Sequence, residues 1–114
     1  MIKGKVVLVP FPFDDLSSNK VRPAVCLSEP IGAHRHIILG FVTSQPLLEV
    51  LESDVFLNSA DPGFSETGLQ VSSSLRLHRL MTVSATTIRR ELGFIPSDIQ
   101  SLIDAKLLSL FGLE

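Results

Sequence analysis

"RPAVCLS", residues 22–28, sets an arginine and a proline at the mouth of an apolar run. Ala24 to Ser28 reads as a buried strand, and packing gives no reason for a guanidinium at its lip. Pro23 has no N–H to offer a ladder, which places it at the first residue of the strand. The stretch therefore raises the question of what a guanidinium fixed so firmly at the edge of a sheet would meet.

Working outward, Lys5 to Phe11 follows Gly4, is rich in valine and reads as a strand. Pro10 and Pro12 imply that it leaves the sheet or runs along an edge there. "FDDLSSNKV", residues 13–21, is a polar connection longer than a tight hairpin needs, and loops of that size on a small sheet are often binding elements. After the turn "EPIGAH", His36 to Thr43 is a third strand, apolar on both faces and therefore central. In "SQPLLEVLESDVFLN", Leu47 to Leu51 suits a short helical turn, whereas Asp54 to Leu57 alternates as a strand does. "NSADPGFSETG" is turn-rich. Leu69 to Leu77 alternates again, with Leu69, Val71, Ser73, Leu75 and Leu77 on one face. Gln70, Ser72, Ser74, Arg76 and His78 take the other. Leu80 to Ser84 is a further segment that pairs beside it, and Ile88 to Leu92 another short strand. Ser97 and Gln100 fit an S-x-x-Q capping box, and Ile99, Leu102, Ile103, Leu107 and Leu110 recur at helical spacing until Gly112 ends the helix. The pattern is mainly β (α+β): short strands and one terminal helix, in a single domain over residues 1–114.

With 114 residues, 45% of them hydrophobic and 19% charged, the chain suits one core and lies outside the disordered class. A net charge of −2 argues against a protein that coats nucleic acid nonspecifically, but leaves room for a local basic cleft. Arg76, Arg79, Arg89 and Arg90 cluster, and such a cluster most simply forms a solvated face. Cys26 is the lone cysteine and sits in an apolar run, as a small buried side chain in a reducing compartment. The apolar start of "MIKGKVVLVPFPF" is short, broken by two prolines and followed by Asp14 and Asp15, unlike a signal peptide. No segment has the roughly 18–20 apolar residues of a membrane span. A soluble, cytoplasmic protein is expected.

No Gly-rich phosphate loop, HExxH, paired CxxC or nucleophile elbow is present. His34 and His36 share a face but lack a third ligand at a suggestive spacing, and Asp14 with Asp15 reads as a turn, so no metal site is assigned. What remains is a set of polar residues at strand ends: Arg22, Thr43 with Ser44, and Arg76 with His78. Two guanidinium forks and a hydroxyl, if they converge, suit a phosphodiester whose charge grows during reaction. Taken singly, each residue fits a structural or surface role equally well.

In order and spacing the chain resembles the MazF/PemK toxins of bacterial type II toxin–antitoxin systems. "KGKVVLVPFPFDD" is similar to their opening strand, "RPAVCLS" to their arginine-proline strand motif, and "FVTS" to a strand ending in Thr-Ser. "TGL" followed by "SSSLRLHRLMTVS" resembles their late strand, and "LGFIPSDIQSLIDAKLLSLFGL" their closing helix. The resemblance implies a small SH3-like β-barrel of the CcdB/PemK type with a C-terminal α-helix, usually a homodimer. It implies a metal-independent, cofactor-free endoribonuclease that cuts single-stranded RNA such as mRNA at short sequences and is neutralised by a cognate antitoxin. Arg22 and Thr43 match the family's catalytic positions, Arg76 a basic residue used by some members, and Ser44 a hydroxyl that helps hold the phosphate. The first connection would contact RNA and antitoxin, with Phe13, Asp15, Ser17, Asn19 and Lys20 as its contacts. His78 stands where many relatives carry an acidic residue, and can replace it as acid or base or weaken cleavage. Two other readings remain open. One is a non-catalytic CcdB-like inhibitor of a protein such as DNA gyrase, although the chain ends "SLFGLE" without the terminal tryptophan of that family. The other is a member that binds RNA or antitoxin without cleaving.

Overall fold

The computed structural model describes residues 1–10 and 21–113, and among these residues one antiparallel sheet carries the fold. Its strands are β1 (Lys5–Pro10), β2 (Val21–Cys26), β3 (His36–Thr43), β4 (Asp54–Leu57), β5 (Ser73–Ser84) and β6 (Arg90–Phe94), in the order β4-β5-β3-β2-β1-β6. The sheet curls into a half-barrel, and helix α1 (Ser97–Leu110) closes the chain. Short 3-10 turns at Phe64–Thr67 and Ala85–Thr87 flank β5.

Alternation within each strand divides the core between the two faces. Val6, Val25, Val42, Leu75 and Leu77 form one buried cluster with Ile103 of α1. Val7, Val9, Ala24, Cys26, Ile37 and Leu39 form the other. β3 contributes to both, as expected of a strand apolar on two sides, and it lies inside the sheet between β5 and β2. Ile103 is fully buried, and burial of such a side chain contributes about 1.5–3 kcal/mol toward holding α1 in place.

Several local expectations need correction. Pro23 is the third residue of β2 rather than the first, and pairs with Leu8 of β1. The β3 ladder begins only at Ala24, so Pro23 has a neighbour on one side and its missing N–H leaves no gap. β1 lies between β2 and β6, but its ladder with β6 stops at Leu8, so Pro10 pairs with Val21 of β2 alone and runs along an edge there, as one of the two readings had it. Phe11 and Pro12 fall outside the described residues. Leu47–Leu51 forms no helical turn. Its polar backbone groups serve side chains instead: Asp54 takes the Leu51 N–H and Arg76 donates to the Glu49 carbonyl.

The late strand begins at Ser73 instead of Leu69, and Leu80–Ser84 continues it. Across the ladder, Gly40 of β3 pairs with Leu80 and the adjacent Phe41 with Arg76, so Leu77, His78 and Arg79 are surplus on β5. This irregularity bends one long strand where two short ones were expected. The last strand lies two residues later than expected because the turn at Ala85–Thr87 delays it. The capping box does not form. Gln100 N–H donates to the Pro96 carbonyl, so Pro96 is the N-cap and Ser97 is already helical. The Gln100 amide nitrogen donates to Asp104. Of the apolar stripe, Ile103 is buried and Ile99 and Leu107 half-buried, whereas Leu102 and Leu110 are exposed. Gly112, at φ +70°, ends the helix as expected, with Leu113 N–H donating back to the Leu108 carbonyl at 2.8 Å.

β6 and the turn at Phe64–Thr67 interlock through glycines. A Cβ on Gly93 would lie 2.1 Å from the Glu66 carbonyl oxygen and 2.6 Å from the Thr67 carbonyl carbon. No side-chain rotation relieves a clash with backbone. Gly93→Ala is therefore expected to cost about 3 kcal/mol and to lower Tm by roughly 10 °C. Thermal unfolding followed by circular dichroism measures it, and an unchanged Tm would contradict the close approach.

Candidate functional site

The bend in β5 gathers residues that are far apart in sequence. Arg22, Phe41, Thr43, Arg76, His78 and Arg79 line one groove of about 660 Å³, whose outer wall is the loop from Gln45 to Leu51. The four residues singled out as catalytic candidates thus share one hollow. Arg22 pairs with Val9 on β1 and lies beyond the stretch of β2 that pairs with β3, so it projects from a strand end. Thr43 is the last residue of β3 and pairs with Ser74. Arg76 lies between Phe41 on β3 and Asp54 on β4, and His78 and Arg79 belong to the surplus segment.

Thr43 Oγ1 accepts the Gln45 N–H at 3.1 Å. That bond occupies a lone pair and leaves the hydroxyl proton to be donated. The Arg79 guanidinium lies 5.0 Å from the centroid of the Phe41 ring, a cation–π contact on the groove wall. His78 is exposed. Arg22 and Thr43 also line an adjoining hollow of about 320 Å³ with Ser44, Gln70 and Arg90, so the two residues stand on the ridge between two depressions. Ser44 is exposed at that ridge and does not line the main groove. The other expected contacts, Phe13, Asp15, Ser17, Asn19 and Lys20, lie outside the described residues.

Arg76 is the most firmly held of these groups. Its Nε donates to Asp54 Oδ1 at 3.0 Å, and its Nη2 donates to Asp54 Oδ2 at 3.1 Å and to the Glu49 carbonyl at 3.0 Å. Asp54 Oδ2 also accepts the Leu51 N–H at 2.8 Å. The Asp54 side chain is 4% exposed and that of Arg76 18%. Burial opposes the charge on Asp54, but the Arg76 and Leu51 hydrogen bonds and the positive field of Arg76 outweigh it and hold its pKa below the ordinary value.

The sequence reading missed Asp54, Arg79, Gln45 and Arg90. Asp54 carried a signal in being an acid at the head of the otherwise apolar "DVFL". The basic cluster assigned to a solvated face divides: Arg76 and Arg79 enter the groove, Arg90 the neighbouring hollow, and Arg89 is exposed. His34 and His36 have ring centroids 5.9 Å apart. Among the described residues no group of three His, Cys, Asp or Glu side chains is placed to hold a metal ion. Also among them, no helix is long and apolar enough to cross a membrane.

A family model described as PemK-like, MazF-like toxin of type II toxin–antitoxin system matches residues 2–111. No curated protein sequence gives a significant match. Among solved structures, a mycobacterial endoribonuclease in complex with its cognate antitoxin aligns at 13% identity with a TM-score of 0.71, covering 100% of this chain and 97% of the other. The Mycobacterium tuberculosis toxin MazF-mt6 aligns at 14% identity and a TM-score of 0.70, over 96% of this chain and 98% of that one. The MazE–MazF complex from Deinococcus radiodurans gives 22% identity and a TM-score of 0.70, over 100% and 97%. At these identities the structural matches speak to the fold.

The ion pair also makes a prediction about stability. Asp54 has a depressed pKa in the folded state, so its contribution is fully present above the ordinary value of 3.8 and is lost as pH falls through the folded pKa. Asp54→Asn is expected to cost about 2–3 kcal/mol near neutrality. Its deficit relative to wild type should shrink as pH drops below 3.8. Urea denaturation across that range measures it, and a deficit that stays constant with pH would refute the charged pair.

Proposed function

Because the chain belongs to the PemK-like, MazF-like toxins of type II toxin–antitoxin systems, a family of endoribonucleases, we propose that it cleaves single-stranded RNA in this groove. The observation that carries the reading is the convergence of Arg22, Thr43, Arg76 and His78 on one hollow. In the reaction the RNA 2′-hydroxyl attacks the adjacent phosphorus and expels the 5′-oxygen, leaving a 2′,3′-cyclic phosphate and a 5′-hydroxyl. Arg22 and Arg76 stabilise the charge that develops on the non-bridging oxygens, and the Thr43 hydroxyl donates a further hydrogen bond. His78 takes the proton of the 2′-hydroxyl or delivers one to the departing 5′-oxygen, with water serving the other transfer, since an imidazole can act as acceptor or donor. No step calls for a metal ion.

The substrate is mRNA in the cytoplasm, and unpaired bases reach the groove most readily. Phe41 and Arg79 offer a ring and a guanidinium plane against which a base stacks. By the same family membership, the partners are a cognate antitoxin and a second copy of the chain. Relatives of the same fold have been solved with an antitoxin bound. Leu48 and Val50 stand exposed on the groove's outer wall, an apolar rim of the kind a protein partner covers.

Incubation of the purified protein with single-stranded RNA in the presence of chelator is expected to give fragments ending in 2′,3′-cyclic phosphate. DNA of the same sequence should remain intact. Arg22→Ala and Thr43→Ala are each expected to slow cleavage by roughly 100-fold. Absence of cleavage across varied sequences, or full activity in Arg22→Ala, overturns the reading. Gyrase inhibition that survives both substitutions would favour a protein target instead, and RNA binding without turnover a non-cleaving member.

A further inference from the structure

Asp54 and Arg76 are direct Cα partners in the β4–β5 ladder, so strand register sets them side by side. Asp54 does not line the groove, whereas Arg76 does. The carboxylate engages Nε and Nη2 of Arg76 through its two oxygens, the planar fork arrangement that fixes a guanidinium in orientation as well as position. Among the described residues, Nη1 of Arg76 has no partner, and it is the end of the fork that remains for a ligand in the groove. The same two side chains hold the groove's outer wall. Leu51 N–H donates to Asp54 Oδ2, and Arg76 Nη2 donates to the Glu49 carbonyl, so the wall loop is bonded to both members of the pair.

We propose that Asp54 is the positioning residue for Arg76, presenting its guanidinium to the scissile phosphate and anchoring the Gln45–Leu51 wall to the same point. The proposal rests on the endoribonuclease reading for its consequence and on the hydrogen-bond geometry for its placement. A solvated arginine would have to give up rotamer freedom when the phosphate arrives; here that ordering precedes substrate. Asp54 contributes to cleavage only through Arg76, so its effect must vanish when the guanidinium is gone.

The test is a double-mutant cycle on cleavage of a single-stranded RNA, read as the single-turnover rate at saturating protein, with RNA affinity measured separately. Asp54→Asn and Arg76→Gln are each expected to lower the rate by roughly 10–100-fold, with RNA affinity changed by less than about threefold. The double variant should be no slower than Arg76→Gln. A wild-type rate in Asp54→Asn, or losses that multiply in the double variant, overturns the proposal. If Asp54→Asn does not fold, Arg76→Lys takes its place: it keeps the charge but cannot form the fork, so the same loss is expected and a wild-type rate is contrary. The Arg76 Nε–H resonance supplies a readout independent of cleavage. It should exchange slowly with solvent in the wild type and rapidly in Asp54→Asn. If the wild type cuts no RNA, the endoribonuclease reading fails, and this resonance alone decides the placement: slow exchange persisting in Asp54→Asn overturns it.

Discussion

Three surplus residues in β5 govern the shape of the groove. Opposite the single step from Gly40 to Phe41 on β3, the partner strand advances from Leu80 to Arg76. Such an insertion bends the bulged strand and increases local twist, which lets a small sheet curl without breaking its ladder. The bend also needs room. A Cβ on Gly40 would lie 2.9 Å from Leu75 Cδ1 and 3.3 Å from Leu27 Cδ1, so the absence of a side chain lets β5 fold over β3 at that point. Of the surplus residues, Leu77 is completely buried in the core while His78 and Arg79 are exposed at the groove. One irregularity thus serves packing on one face and chemistry on the other.

Charge is distributed to match. The molecule as a whole carries a formal charge of −2, yet its groove draws three arginines into one hollow. Arg76 is neutralised locally by Asp54, which permits a guanidinium with only 18% side-chain exposure. Arg79 leans on Phe41, with the aromatic face as its neighbour. An acidic exterior with a basic groove disfavours indiscriminate binding to nucleic acid while leaving a specific seat for a phosphate. Selectivity of that kind is a property of local geometry and cannot be read from net charge.

How much of this was legible in the chain varied with the kind of physics involved. β3 was read with its observed ends because apolar residues on both faces leave few alternatives. β4 was also read with its observed ends, although the stretch around it suited a helical turn as well. β5 was misread as two pieces because a bulge interrupts the period of two without leaving a proline or glycine to mark it. The capping box failed for a similar reason. Ser97 and Gln100 have the right spacing, but the carbonyl of Pro96 had already started the helix. At the site, Arg22, Thr43, Arg76 and His78 stood out as polar residues at strand ends, the resemblance matched the first three to family positions, and their lining of one hollow is visible only in the tertiary structure. Asp54 stayed invisible because its partner lies 22 positions away, a distance that only the β4–β5 register closes.

Cys26, buried within the second core cluster, has a practical consequence. Removal from water pushes its thiol up to about 11, with the nearby Lys5 offsetting only part of the effect. At pH 7 that leaves about one thiolate in ten thousand, and the thiolate is the form that reacts. The native sulfur is therefore chemically silent while the core stays packed. A cysteine introduced on the wall loop can be labelled alone, and slow modification of Cys26 itself becomes a clock for the opening of the whole core.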